Sequence, residues 1–162
     1  MVIEFFYVNG MVHREFVPPG VTANADFYCD VLRRLRVKVR RKRPELWQSG
    51  DWFFHHDNAP AHSAIKTQEF LAKNGMLVLP HPPYSPGLAP CDFFLFPKTK
   101  LKMKGRWFDS VEEIQVECDK VFGSLTKEDF QYAFKQWQRR WNHCINAEGQ
   151  YFEGDKHSKE NE

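Results

Sequence analysis

Two aspartates carry the chemical question in this chain. Asp57 sits inside the run HHDNAPAH from His55 to His62, Asp92 lies within the stretch from Pro83 to Lys98, and thirty-four residues (58–91) separate them. A pair of carboxylates held in place suits a hard divalent cation such as Mg²⁺ or Mn²⁺, which takes oxygen ligands and keeps waters or phosphate oxygens in its other positions. Such a site activates a water or hydroxyl and stabilises the leaving oxygen of an in-line phosphodiester displacement. On spacing alone, Asp57 is equally well explained as an exposed acid capping the next helix, and Asp92 as a helix N-cap. Asn58 is expected to hold the turn after Asp57 through side-chain bonds, with support of a bound metal's ligands as a further task.

The neighbouring histidines raise zinc as an alternative. His55, His56, His62, His81 and Cys91 lie close in sequence, yet no pair has a spacing typical of a zinc site. His55 and His56 alternate along an extended run, so at most one shares a face with Asp57. Structural zinc is not expected, and His62 reads as a polar residue near the turn or facing nucleic acid.

The elements that must position these groups follow a mixed α/β order. Residues 2–8 read as a strand, Asn9-Gly10 as a hairpin turn and residues 11–17 as the partner strand. Thr22 or Asn24 caps a helix to about Lys42, with Phe27, Val31, Leu32 and Leu35 on its buried face. Pro44 ends it, and a loop leads to a strand over residues 52–56 that delivers Asp57. A helix over residues 61–74 stops at Gly75, and residues 76–79 form a short buried strand. Five prolines in residues 80–90 make a rigid connector, which ends with Asp92 at the mouth of a helix whose dipole favours negative charge. Ser110 with Glu113 forms a capping box for a helix to about Phe122. Thr126 opens the last helix, whose stripe of Phe130, Phe134, Trp137, Trp141 and Cys144 reads as core. Residues 154–162 form a polar tail.

Bulk properties fit one soluble domain. The chain has 162 residues, is 15% aromatic and carries a formal charge of +2, so whole-chain charge decides little. Its distribution says more: Arg33, Arg34, Arg36, Lys38, Arg40, Arg41, Lys42 and Arg43 crowd the end of the first helix. They read as a solvated face or as contacts to DNA phosphates, with Arg33, Arg36 and Arg40 as the candidates. Lys98, with Lys100, Lys102 and Lys104, lies just after Asp92, and Lys98 is a further nucleic-acid candidate. Arg139 and Arg140 read as helix-surface pairing groups. Four scattered cysteines without a CxxC pair point to reduced thiols. Neither a signal peptide nor an apolar run of membrane-span length is visible.

Ordered strings connect these features to a family. HHDNAPAH, LPHPPYSP, LAPCDFFLFPK, FDSVEEI, LTKEDF, WQRRW and YFEGD follow one another from His55 to Asp155, and the chain from about Gly10 to Asp155 resembles the C-terminal part of the catalytic domain of mariner transposases, in the Tc1/mariner group of the DDE/D superfamily. The resemblance implies an RNase H-like α/β fold truncated at its N-terminal strand, with residues 1–153 as a partial catalytic domain. It implies that Asp57 and Asp92 are the second and third catalytic, metal-binding aspartates, with Mg²⁺ or Mn²⁺ as the ancestral cofactor. The first family aspartate belongs to an earlier strand, and Glu4 is a poor substitute because its strand resembles a neighbouring one. Gly87 stands where the family usually has aspartate, a change that relaxes the turn. The helix-turn-helix modules that read transposon ends, and the linker used in homodimer assembly, have no counterpart in the sequence.

The expected function is therefore a mariner-type catalytic-domain fragment, ancestrally a metal-dependent DNA cleavage and strand-transfer enzyme. In its present form it is expected to bind DNA without sequence choice and not to transpose autonomously. The alternatives are an active nuclease with a third carboxylate supplied elsewhere, and an inert fragment that only associates with other chains. DNA as the partner implies the nucleus; no membrane and no small-molecule cofactor are expected.

Overall fold

The hairpin at the start of the chain is the middle layer of the fold. The structure, a computed structural model, describes residues 1–149; the YFEGD string and the expected domain boundary and tail lie outside them. Strands β1 (Val2–Tyr7) and β2 (Gly10–Phe16) pair antiparallel, from Val2 opposite Phe16 to Tyr7 opposite Gly10. The turn falls on Val8-Asn9, one residue earlier than expected, and Gly10 takes a φ of +133°, a region that suits a residue without Cβ. Phe5 faces His13 and Phe6 faces Met11, so Val12 is an extra residue that bulges β2.

Alternation along β1 divides its side chains between two cores. Ile3, Phe5 and Tyr7 pack on a cluster built from Tyr28, Leu32, Leu35, Val39, Phe54 and Leu71. Phe6, with Met11 and Phe16 of β2, packs on Phe94, Leu95, Phe122, Phe130 and Ala133. Helices therefore cover both faces of the hairpin, as a two-sided sheet requires. On the first side, α1 (Ala25–Lys42) starts where the Asn24 side chain accepts the Phe27 N–H, and it buries Tyr28, Cys29, Val31, Leu32, Leu35 and Val39. Phe27 is only half-buried, because the burial stripe is centred one residue further on.

Several expected boundaries move. Pro44 does not open a loop; it occupies the first turn of a short helix α2 (Pro44–Ser49), a position where its missing N–H costs nothing. The expected helix over 61–74 divides into α3 (Pro60–Ser63) and α4 (Ile65–Lys73), because Ala64 is extended. The buried Thr67 hydroxyl donates to the Ala61 carbonyl across that break. The two expected strands over 52–56 and 76–79 shrink to one parallel bridge, Phe54 with Val78, held by Phe54 N–H to Leu77 and Leu79 N–H to Phe54. Among the described residues β1 is bonded on one side only. A groove of about 430 Å³ separates it from residues 52–55, so the Phe54 segment lacks the sheet neighbour that would lengthen its ladder.

The second side is all helix. A π-helical turn over Cys91–Leu95 runs into α5 (Phe96–Met103). Pro97 explains the widened turn, since it has no N–H to offer an i→i−4 bond. The Ser110 side chain caps α6 (Val111–Gly123), and a full Thr126–Asp129 capping box opens α7 (Lys127–Asn146). Along α7, Phe130 and Ala133 are buried while Phe134, Trp137, Trp141 and Cys144 are half-buried, so the stripe is core at its start and a partial cover further on.

Candidate two-carboxylate metal site

Asp57 follows the Phe54 bridge and Asp92 sits in the π-helical turn; both are exposed. The fold brings them within electrostatic reach. Asp92 is pushed above the ordinary carboxylate range, first by burial and then by the negative charge of Asp57, against smaller pulls from His81 and Lys100. Asp57 moves the other way, down to about 2, chiefly because His62 hydrogen-bonds its carboxylate, with the Ala59 N–H helping. The two acids are thus shifted in opposite directions for different reasons, Asp57 by its own hydrogen bonds and Asp92 by burial and the charge of Asp57.

The local sequence explains the geometry. Asp57 Oδ1 accepts the Ala59 N–H at 3.0 Å and the His62 Nδ1–H at 2.7 Å; this is the turn-holding role that was expected of Asn58. Asn58 instead reaches across to the next loop, its Nδ2 donating to the His81 carbonyl at 2.8 Å. That bond ties the segment bearing Asp57 to the proline-rich segment that leads to Asp92. His81 feels both acids, and its Nδ1 lies 3.2 Å from His55 Nε2. Burial depresses His55 and His56 to about 4, with Asp57 opposing, so both rings are neutral at pH 7. They diverge as alternation requires: His55 packs against His81 and Trp137, His56 against Tyr28 and His62.

The connector over residues 80–90 is held from α7. Trp137 Nε1 donates to the Leu88 carbonyl at 2.8 Å, and Arg140 Nη1 donates to Gly87 at 3.2 Å while lying over Phe93. His62, His81, Trp137 and Arg140 thus support the site, and sequence reasoning missed these roles. For His62 the five-residue offset from Asp57 was available as a signal; for Trp137 and Arg140 no local signal exists, because their partners are about fifty residues away.

The basic candidates separate. Arg33 pairs with Asp30 and lies over Phe70, Arg36 lies over Trp47, and Arg40 is exposed. Their spacing keeps all three on one stripe of α1. Lys98 is engaged: its Nζ bonds Asp129 at 2.6 Å and lies over Phe94. Glu4 does not join the aspartates. It is a buried residue of β1, and neither of its carboxylate oxygens has a hydrogen-bond partner.

The donor chemistry fits a hard divalent cation in kind. Asp57 Oδ2 and both oxygens of Asp92 take no hydrogen bond among the described residues, and two adjacent anionic groups favour a cation between them. The number is small: among the described residues no three His, Cys, Asp or Glu side chains are grouped to hold a metal ion.

Comparison with known proteins places this arrangement. Residues 1–49 match the family model for a transposase with a partial DDE domain. The chain is 33% identical to the Mariner Mos1 transposase of Drosophila mauritiana over 94% of its length. The crystal structure of the Mos1 catalytic domain superposes with a TM-score of 0.86 at 33% identity, covering 94% of this chain and 75% of that one. The chain belongs to the mariner transposase family. Its fold is the RNase H-like α/β fold of that catalytic domain. The human Histone-lysine N-methyltransferase SETMAR is 28% identical over 94% of this chain. This mariner chain spans 45% of the length of Mos1 and 22% of SETMAR. Mos1 structures include the catalytic domain with Mg or Mn, and a paired-end complex with the left transposon end, which superposes with a TM-score of 0.85 at 34% identity over 44% of that chain.

Proposed function

We propose that this mariner chain supplies two carboxylates of a divalent-metal site for DNA strand cleavage and strand transfer. By itself it binds nucleic acid without sequence choice and does not transpose. The observation that carries the reading is the Asn58–His81 bond, which ties the segment bearing exposed Asp57 to the loop that leads to exposed Asp92. Support comes from Mos1, whose catalytic domain is solved with Mg and with Mn and whose paired-end complex holds a transposon end.

Asp57 Oδ2 and the Asp92 carboxylate are the groups that would hold Mg²⁺ or Mn²⁺. The cation, when bound, supplies a more acidic water and stabilises the leaving oxygen. Ala59 and His62 fix Asp57, Asn58 holds the loop between the acids, and Trp137 and Arg140 keep the connector in place. Two carboxylates offset the dehydration of Mg²⁺ less well than three, so cleavage requires a third supplied from outside this chain. The stripe of Arg33, Arg36 and Arg40 contacts DNA phosphates, with Arg40 the most available. Lys98 takes part only by leaving Asp129. DNA as the partner places the chain in the nucleus.

The test is DNA binding by anisotropy across a salt series, with supercoiled-plasmid nicking in Mn²⁺ alongside. Affinity should fall steeply with salt and weaken when Arg33, Arg36 and Arg40 are neutralised. A salt-independent or absent signal rejects the binding reading. Nicking by the wild-type chain that disappears in Asp57→Asn rejects the claim that cleavage needs an outside carboxylate.

A second reading, association with another chain, is favoured by the free edge of β1 and the groove beside it. Unpaired strand edges recruit further strands. A strictly monomeric chain in sedimentation across a wide concentration range counts against it.

A further inference from the structure

Asp57 is exposed, and its two hydrogen bonds among the described residues both fall on Oδ1. One of them comes from its own turn. The other, from His62, is the shorter at 2.7 Å and leads back into the core. Because a carboxylate oxygen only accepts, His62 Nδ1 carries the proton, and the ring must hold one orientation to deliver it.

Two ring contacts hold it. Its centre is 4.1 Å from the Tyr28 ring, and it stacks on His56 at 4.9 Å with only 5° between the planes. His56 is in turn fixed by its Nδ1, 3.0 Å from the Tyr28 hydroxyl. Tyr28 is 1% exposed in the first turn of α1. A chain of rings therefore runs from the buried face of α1 to one oxygen of an otherwise solvated carboxylate, leaving Oδ2 unbonded.

We infer that His62 is a positioning residue, anchored through Tyr28 and His56, that locks the Asp57 carboxylate so that Oδ2 alone faces an incoming cation. The inference deepens the metal-site reading and rests on it for its purpose. Preorganising one oxygen removes the rotamer freedom that a surface aspartate otherwise gives up on binding.

The experiment uses the full chain without metal, then with Mn²⁺. Three-bond ¹³C–¹⁵N and ¹³C–¹³C couplings read the χ1 of Asp57 in wild type, His62→Ala, His62→Asn and Tyr28→Phe. Wild type should show one rotamer and His62→Ala an average. His62→Asn, whose Nδ2 stands near the lost Nδ1, should restore the single rotamer, and Tyr28→Phe should average partially. Mn²⁺ affinity measured by electron paramagnetic resonance should fall about 10-fold or more in His62→Ala and recover in His62→Asn. A single Asp57 rotamer retained in folded His62→Ala overturns the inference, as does averaging in both His62 variants that is no greater than in wild type. A wild-type chain that takes up no Mn²⁺ overturns the metal reading, while the couplings still decide whether His62 fixes Asp57.

Discussion

Replacing Glu4 with glutamine isolates one buried carboxylate that has no hydrogen-bond partner. Glu4 is 7% exposed, its carboxylate oxygens have no hydrogen-bond partner, and it lines the groove between β1 and residues 52–55. Burial lifts its pKa from 4.5 to about 7, with Arg14 pulling weakly the other way. At roughly 1.4 kcal/mol per pH unit, that gap corresponds to about 3 kcal/mol. The folded value lies above the unfolded one, so the folded state binds the proton more tightly. The stabilising contribution is complete below pH 4.5 and is lost as pH rises through about 7. Relative to Glu4→Gln, wild type should lose about 3 kcal/mol between roughly pH 4.5 and pH 8, by the same linkage. The absolute curves are mixed, because His55 and His56 have folded values near 4 and lose stability as pH falls below the ordinary imidazole range. The difference between wild type and variant cancels them. Urea unfolding followed by tryptophan fluorescence at several pH values measures it. Parallel stability curves for the two proteins would refute the assignment of a buried, unpaired carboxylate.

Other perturbations test how the site is held. Trp137→Phe removes the bond to the Leu88 carbonyl and should cost about 1 kcal/mol; hydrogen exchange should quicken in residues 85–89, and unchanged exchange would show the connector is held elsewhere. Thr126→Ala breaks the capping box of α7 and should cost about 1 kcal/mol in urea unfolding. Lys98→Met removes a pair whose side chains are 42% and 30% exposed, so stability should change by less than about 1 kcal/mol. If DNA affinity also stays constant in that variant, Lys98 serves the contact between α5 and α7 and not nucleic acid.

What could be read from the chain alone follows a physical divide. Caps and periodic faces are local, so Asn24, Ser110 and Thr126 marked their helices correctly and α1 showed its buried side in advance. The strands around Phe54 and Val78 were read too long, because ladder length depends on a neighbour that the local pattern does not contain. Two prolines act in ways the local pattern does not show. Pro44 ends α1 as expected but also begins α2 where a loop was expected, and the helix start expected at Asp92 is a π-helical turn, widened by Pro97. At the site, the motif strings named Asp57 and Asp92 as the candidate pair. The exchange of roles between Asp57 and Asn58 was not, since it depends on how the turn meets the His81 loop. Arg140 offers the same lesson: a surface arginine by pattern, it reaches Gly87 and Phe93 only after the whole second core has packed.

Divalent-cation binding at Asp57 and Asp92 is the claim on which the rest depends. Mn²⁺ titration of the folded chain, read by electron paramagnetic resonance beside Asp57→Asn and Asp92→Asn, tests it most directly. The account predicts one saturable site in wild type that each single substitution weakens by about 10-fold or more, as loss of a ligating group does. Equal Mn²⁺ uptake by all three proteins, or none by any of them, would contradict it.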